Sequence, residues 1–205
     1  MKMSLHDFYD PNQSDKNTIH SYLDTYEMLM GRLKDKATNV LEVGIGDHYK
    51  NKSVGVPHGG SLVLWKKYFK NANIYGVEIQ NFRVLDELNT ERIKIFLGTN
   101  AYDKRFIDTH LSDKKFDVLI DDGPHTLKSQ LDFIRLYSDL LTEDGLLIIE
   151  DVADISWLEK LKQVTPDHLK PYIQTFDLRN NKGRFDDIIF AINRTDKIYL
   201  NFFDN

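Results

Sequence analysis

The chain has 205 residues, enough for one domain with a sizeable core. It is 41% hydrophobic and 29% charged, as ordinary globular proteins are, and its formal net charge of −5 gives no electrostatic help toward nucleic acid. The absence of cysteine excludes disulfides, thiolate metal sites and a cysteine nucleophile; residues 1–16 are polar and no apolar run approaches a membrane span, so a soluble, cytoplasmic protein is expected.

Short apolar runs alternate with helix-like segments, the pattern of a parallel sheet with crossover helices. Residues 1–10 read as peripheral, and 14–32 as a helix over the mouth of a ligand site, so that 1–35 forms an N-terminal helical lid. Strands are expected at 39–44, 73–79, 92–97, 116–121 and 146–150, several apolar nearly throughout, as strands covered on both faces are. A helix over 61–69 places Leu62, Trp65, Tyr68 and Phe69 on one face. A second over 126–141 does the same with Leu127, Leu131, Ile134 and Leu141, with Thr126 as N-cap. Shorter helices fit 157–163 and 166–172, the latter opening with Pro166. Residues 173–178 and 187–193, separated by the turn-rich Arg179-Asn180-Asn181-Lys182-Gly183-Arg184, read as two antiparallel strands closing the sheet. The tail 195–205 offers Tyr199, Phe202 and Phe203 for docking. The expected fold is α/β and Rossmann-like: a mostly parallel seven-stranded sheet with a C-terminal antiparallel hairpin and helices on both faces, the layout of the class I methyltransferases. Residues 1–205 read as a single domain whose ends hug one core, compatible with a domain cut from a longer protein.

The first strand runs into Glu42-Val43-Gly44-Ile45-Gly46-Asp47. Glycine lets the backbone turn sharply and approach a ligand without a Cβ in the way. Alone, this is as well read as an ordinary turn. Glu78 at the end of the second strand adds a carboxylate able to accept hydrogen bonds from both ribose hydroxyls. A dinucleotide fingerprint would supply a third glycine, but Asp47-His48-Tyr49-Lys50 follows and the next glycine is Gly55. The loop therefore suits a nucleoside cofactor without phosphates, S-adenosyl-L-methionine, rather than NAD. Thr99 and Asn100 close the third strand, where an amide can read an adenine edge. Gly59-Gly60-Ser61 opens a helix whose N–H groups can hold a carboxylate. A plain turn and a plain helix cap are equally good readings of these two.

Two acidic pairs end neighbouring apolar runs: Asp121-Asp122-Gly123-Pro124-His125 and Glu150-Asp151. Carboxylates on adjacent strand ends repel unless something cationic lies between them. Asp122, Glu150 and Asp151 offer oxygen ligands only, which suits Mg²⁺, with Mn²⁺ as a substitute, better than zinc. Asp121 and Asp122 project to opposite sides, leaving Asp121 to face the cofactor or a backbone donor. Of seven histidines, His6, His110 and His168 have no constellation around them; His20, His48 and His58 lie in segments bordering the mouth. His125 sits three residues beyond a proposed ligand and is the base candidate. A nearby divalent cation would keep its imidazole neutral. Together these residues suit transfer of a methyl group to a hydroxyl oxygen, with a vicinal diol as a natural chelating acceptor.

At Ser14-Asp15-Lys16-Asn17-Thr18-Ile19-His20-Ser21-Tyr22, Leu41-Glu42-Val43-Gly44-Ile45-Gly46, Gly59-Gly60-Ser61-Leu62 with Trp65, Asp121-Asp122-Gly123-Pro124-His125 and Glu150-Asp151, the chain resembles the metal-dependent sugar O-methyltransferases of macrolide and tetracenomycin biosynthesis. The resemblance spans about residues 14–194. It implies magnesium on Asp122, Glu150 and Asp151, His125 as catalytic base, and a rhamnose-like deoxysugar hydroxyl as acceptor. The implied partners are a sugar or glycan substrate and neighbouring glycan-synthesis domains. Asn100 stands where the family has glutamine and Pro124 where it has serine. The rival readings are a catechol-type O-methyltransferase, a nicotinamide-dependent oxidoreductase, and a carbohydrate- or nucleoside-binding module without turnover.

Overall fold

The computed structural model describes residues 3–46 and 58–196. In chain order the elements are α1 (Leu23–Met30), β1 (Asn39–Val43), α2 (Gly60–Tyr68), β2 (Asn73–Val77), β3 (Ile93–Phe96), α3 (Lys104–His110), β4 (Phe116–Asp121), α4 (Leu127–Tyr137), β5 (Leu141–Ile149), α5 (Trp157–Val164), β6 (Ile173–Asp177), α6 (Arg179–Lys182) and β7 (Ile188–Asn193). The seven strands form one sheet in the order β3-β2-β1-β4-β5-β7-β6. β7 runs antiparallel to both β5 and β6, and the other pairings are parallel. This is the expected Rossmann-like class I methyltransferase layout.

Because strand side chains alternate between faces, the apolar runs split into two cores. Val40, Ile74, Val118, Ile120, Leu146 and Ile148 pack toward α1 and α2. Leu41, Val43, Val77, Leu119, Leu147 and Ile149 pack on the other side with Ile107, Phe133, Ile134 and Leu161 of α3, α4 and α5. The register aligns Glu42 with Ile120, and Ile120 with Ile148. By the same alternation, Glu42, Asp122 and Glu150 fall on the α1–α2 face, and Asp121 on the opposite one.

Several boundaries differ from expectation. The helix expected over 14–32 shortens to α1, and the residues before it form turns. Leu5 is fully buried in the core, so the described part of the first ten residues is anchored to it rather than peripheral. β5 starts at Leu141, ahead of the apolar run, because the half-buried Thr142 and the exposed Glu143 and Asp144 continue the strand beyond the covered part of the sheet. That start also ends the preceding helix early: α4 stops at Tyr137 and a 3-10 turn completes the segment. Thr126 caps α4 as expected, its hydroxyl accepting from the Ser129 N–H at 3.1 Å. Asp167–Tyr172 form a 3-10 helix, and Pro166, expected to open the helix, is its N-cap instead. α3 was not anticipated; Asp103 caps it by accepting from the Arg105 N–H at 2.9 Å. His48, Tyr49, Tyr199, Phe202 and Phe203 lie outside the described residues. No helix among the described residues is long and apolar enough to cross a membrane.

Candidate active site

The C-terminal ends of β1, β4 and β5 meet at one edge, and the backbone ladder continues past them. Asp122 N–H donates to the Val43 carbonyl at 2.9 Å, and Glu150 N–H to the Asp121 carbonyl at 3.0 Å. Gly44, with φ of +79°, lies so close to this ladder that a Cβ would sit 1.8 Å from the Asp122 carbonyl oxygen. Only glycine accommodates both that dihedral and that approach.

On the α1–α2 face, Glu42 is fully buried. Its Oε2 accepts from Ser61 Oγ at 2.5 Å and from Trp65 Nε1 at 3.0 Å. Ser61 and Trp65, four residues apart, share one face of α2. Lys16, from the turns before α1, is buried beside them and was not foreseen as a site residue. Its Nζ lies 2.7 Å and 2.9 Å from the two Glu150 oxygens, 2.8 Å from Asp122 Oδ2 and 3.2 Å from Glu42 Oε1. Burial by itself would lower the Lys16 ammonium; the charges of Asp122, Glu150 and Glu42 outweigh it and hold that group well above the ordinary lysine range. Burial pushes the carboxyls of Glu42, Glu150 and Asp151 upward, and the neighbouring Asp122 charge adds to the shift in each.

The other side of Asp122 faces His125, whose Nε2 is 3.8 Å from Asp122 Oδ1 and 3.5 Å from Asp151 Oδ2. His125 and Asp151 both have φ of +51°, uncommon for residues with a Cβ. These two turns take the chain off the strand ends and direct the imidazole back over the acids. Asp151 also accepts from the Tyr22 hydroxyl, and Glu150 from the Tyr26 hydroxyl. His20 Nδ1 is 2.7 Å from Asp187 Oδ1 and 3.2 Å from Asp151 Oδ1. Gln130 of α4 holds the Glu150 carbonyl at 3.0 Å.

Three sets of side chains are close enough to share a cation, their ligand atoms all within 4.8 Å of one another: Glu42 with Asp122 and Glu150, Asp122 with His125 and Asp151, and His20 with Asp151 and Asp187. Asp122 belongs to the first two sets, while Glu150 and Asp151 fall in different ones. The first set fits a hard cation: its donors are all carboxylate oxygens gathered around a positive charge, and the buried Glu42 Oε1 has no hydrogen bond. A cavity of about 330 Å³ opens onto them, lined among others by Lys16, His20, Gly46, Ser61, Asp122 and His125.

The expected cofactor residues are partly brought together. Glu78 meets the β1 loop, its Oε2 accepting from the Ile45 N–H at 3.2 Å and lying 3.2 Å from where a Gly46 Cβ would stand. Thr99 and Asn100 line a separate depression with Phe106 and His110. Asp121 turns to the opposite face, where it accepts from the Tyr102 hydroxyl at 2.5 Å and from the Gly123 backbone N–H, the backbone donor expected for it. Burial, against those two hydrogen bonds and with the charge of Asp122, pushes its carboxyl up to about 7. Lys16, Tyr26, Tyr102 and Asp187 escaped the sequence reading. The signal for Lys16, His20 and Tyr22 was the polar stretch 14–22 directly before an apolar helix; Asp187 had none beyond its place at the start of a strand.

No family model matches the chain. It is 29% identical over 144 residues to the 8-demethyl-8-alpha-L-rhamnosyl tetracenomycin-C 2'-O-methyltransferase of Streptomyces olivaceus, covering 70% of this chain and 36% of that protein. It is 33% identical over 136 residues to the 8-demethyl-8-(2-methoxy-alpha-L-rhamnosyl)-tetracenomycin-C 3'-O-methyltransferase of the same organism, covering 65% of this chain and 32% of that protein. Among solved structures it is similar to the MycE methyltransferase of the mycinamycin biosynthetic pathway in complex with Mg, SAH and mycinamycin VI, with a TM-score of 0.68 and 21% identity over 96% of this chain and 55% of that one. The chain thus spans about a third of the length of the curated relatives. Its resemblance to sugar O-methyltransferases holds in sequence, and its class I methyltransferase fold holds in structure.

Proposed function

We propose that the chain carries out S-adenosyl-L-methionine- and Mg²⁺-dependent O-methylation of a sugar hydroxyl, on a rhamnose-like deoxysugar in a glycoside or glycan. The observation that carries this reading is Asp122 at the strand ends beside the Gly44–Gly46 loop, with Glu150 close to it on one side and His125 and Asp151 on the other. Asp122, Glu150 and Asp151 would hold the divalent cation. Gly44, Gly46, Ser61 and Glu78 would border the nucleoside cofactor, with Thr99, Asn100 and Asp121 as further contacts, while Glu42, expected beside them, is fully buried against Ser61, Trp65 and Lys16. When bound, the cofactor supplies an electrophilic methyl group on sulfur, and the cation supplies positive charge that favours loss of the acceptor's hydroxyl proton.

The protein's own part is positioning and proton transfer. His125 Nε2 would take up the proton that the acceptor hydroxyl gives up as its oxygen is methylated. Asp151, 3.5 Å from that nitrogen, stabilises the imidazolium that results. Tyr22, Tyr26 and Gln130 fix Asp151 and Glu150 by hydrogen bonds, so the acids are ordered before any ligand arrives. Names of the curated relatives, both rhamnosyl-tetracenomycin O-methyltransferases, support a deoxysugar acceptor.

The test is a methyl-transfer screen by mass spectrometry across deoxyhexose glycosides, with Mg²⁺ and with chelator. A methylated rhamnoside formed only with Mg²⁺ supports the proposal. Methylation of catechols but not of sugars, or equal turnover in chelator, overturns it.

A further inference from the structure

Lys16 makes an imperfect guest among the acids it touches. Four carboxylate oxygens lie at 2.7, 2.8, 2.9 and 3.2 Å from its Nζ, yet an ammonium has three N–H bonds. Glu42 Oε1, at 3.2 Å, is the oxygen left without a hydrogen bond. The charges mismatch in the same direction, since Glu42, Asp122 and Glu150 face a single positive charge. A hard divalent cation accepts about six oxygens and brings twice the charge. Lys16 also lines the cavity of about 330 Å³, so its side chain has open volume to move into.

We propose that Lys16 is a resident cation that trades places with the divalent ion. In the metal-free protein its ammonium fills the Glu42–Asp122–Glu150 cluster, and it withdraws into the cavity when the ion takes Asp122 and Glu150, the two ligands this cluster shares with the proposed metal site. The proposal rests on the metal-dependent reading above and adds a device to it. Buried carboxylates without a counter-charge repel one another and do not stay gathered. Lys16 keeps the cluster assembled before the ion arrives, at the cost of competing with it. An ammonium occupying the cluster about nine-tenths of the time lowers the apparent metal affinity about tenfold.

The experiment compares wild type with Lys16→Met, which keeps an unbranched chain and removes the charge. Mg²⁺ is titrated into each protein by calorimetry at fixed pH and salt. The variant is expected to bind Mg²⁺ about tenfold more tightly. Its Tm is expected to rise further with Mg²⁺ than that of wild type, because binding stabilises the folded state more when affinity is higher. Amine acetylation of folded wild type, read by peptide mass spectrometry, supplies a second measurement: Lys16 is expected to be protected without Mg²⁺ and labelled with it. Where Lys16→Met does not fold without metal, this labelling decides. Equal or weaker Mg²⁺ affinity in the variant, or labelling unaffected by saturating Mg²⁺, overturns the exchange and leaves the metal-dependent reading standing. No Mg²⁺ binding by either protein removes both.

Discussion

Gly44→Ala adds one carbon where there is no room for it. The new Cβ would lie 1.8 Å from the Asp122 carbonyl oxygen, 2.5 Å from its carbonyl carbon and 2.8 Å from Gly123 Cα. All three are backbone atoms, so no side-chain rotation relieves the overlap. Holding alanine at φ of +79° costs about 1–2 kcal/mol. Moving the end of β4 aside adds about 1–3 kcal/mol, for a total loss of about 2–5 kcal/mol. Gly183→Ala isolates the first contribution: Gly183 has φ of +71°, but nothing lies within 4 Å of its would-be Cβ, so a loss of about 1–2 kcal/mol is expected. Urea unfolding of both variants against wild type measures the difference. The residue displaced in Gly44→Ala is Asp122, so this variant should also lose Mg²⁺ affinity under conditions where it remains folded, and Gly183→Ala should not. Equal losses of stability in the two variants would refute the close approach of the β1 loop to β4.

Three further outcomes follow from the site. His125→Ala should retain cofactor affinity and lose most methyl transfer; parallel loss of both would refute its role as base. A chelator should abolish transfer and added Mg²⁺ should restore it, with full activity in metal-free buffer as the contrary result. The third concerns Asp121, whose carboxyl burial pushes up to about 7. The folded state therefore holds this proton more tightly than the unfolded chain, so its contribution to stability is complete below about pH 4 and is lost as pH rises through about 7. Three pH units correspond to at most about 4 kcal/mol. Asp121→Asn, which mimics the protonated acid, should gain on wild type between about pH 5 and pH 8 in chelator. A stability difference that stays flat over that range would contradict the buried-acid assignment.

The acidic edge was legible because strand alternation is a local rule. Phe116–Asp121 emerged with the bounds read from the sequence, and its period of two separates Asp121 from Asp122 by face. The same rule, carried across the register, gathers Glu42, Asp122 and Glu150 on one side. Lys16 was not legible. Its contact with Glu150 spans 134 positions from a turn that has no periodic pattern, and nothing local marks a lysine as buried. α3 was missed because a single buried pair, Ile107 and Leu111, gives too short a pattern to separate helix from loop. The start of β5 was missed because a strand leaving the covered part of a sheet no longer needs an apolar run. Thr99 and Asn100 follow the third strand as expected, but their own depression is a property of how α3 packs, which the strand pattern does not carry.

The account stands on carboxylates from β4 and β5 jointly gripping one divalent ion. Electron paramagnetic resonance of Mn²⁺ titrated into wild type and Asp122→Asn measures this directly, because free and bound Mn²⁺ are distinguished in the same spectrum. The account predicts saturable Mn²⁺ binding by wild type, displacement by Mg²⁺, and loss of that binding in Asp122→Asn. Unchanged Mn²⁺ binding in a folded Asp122→Asn variant would contradict it.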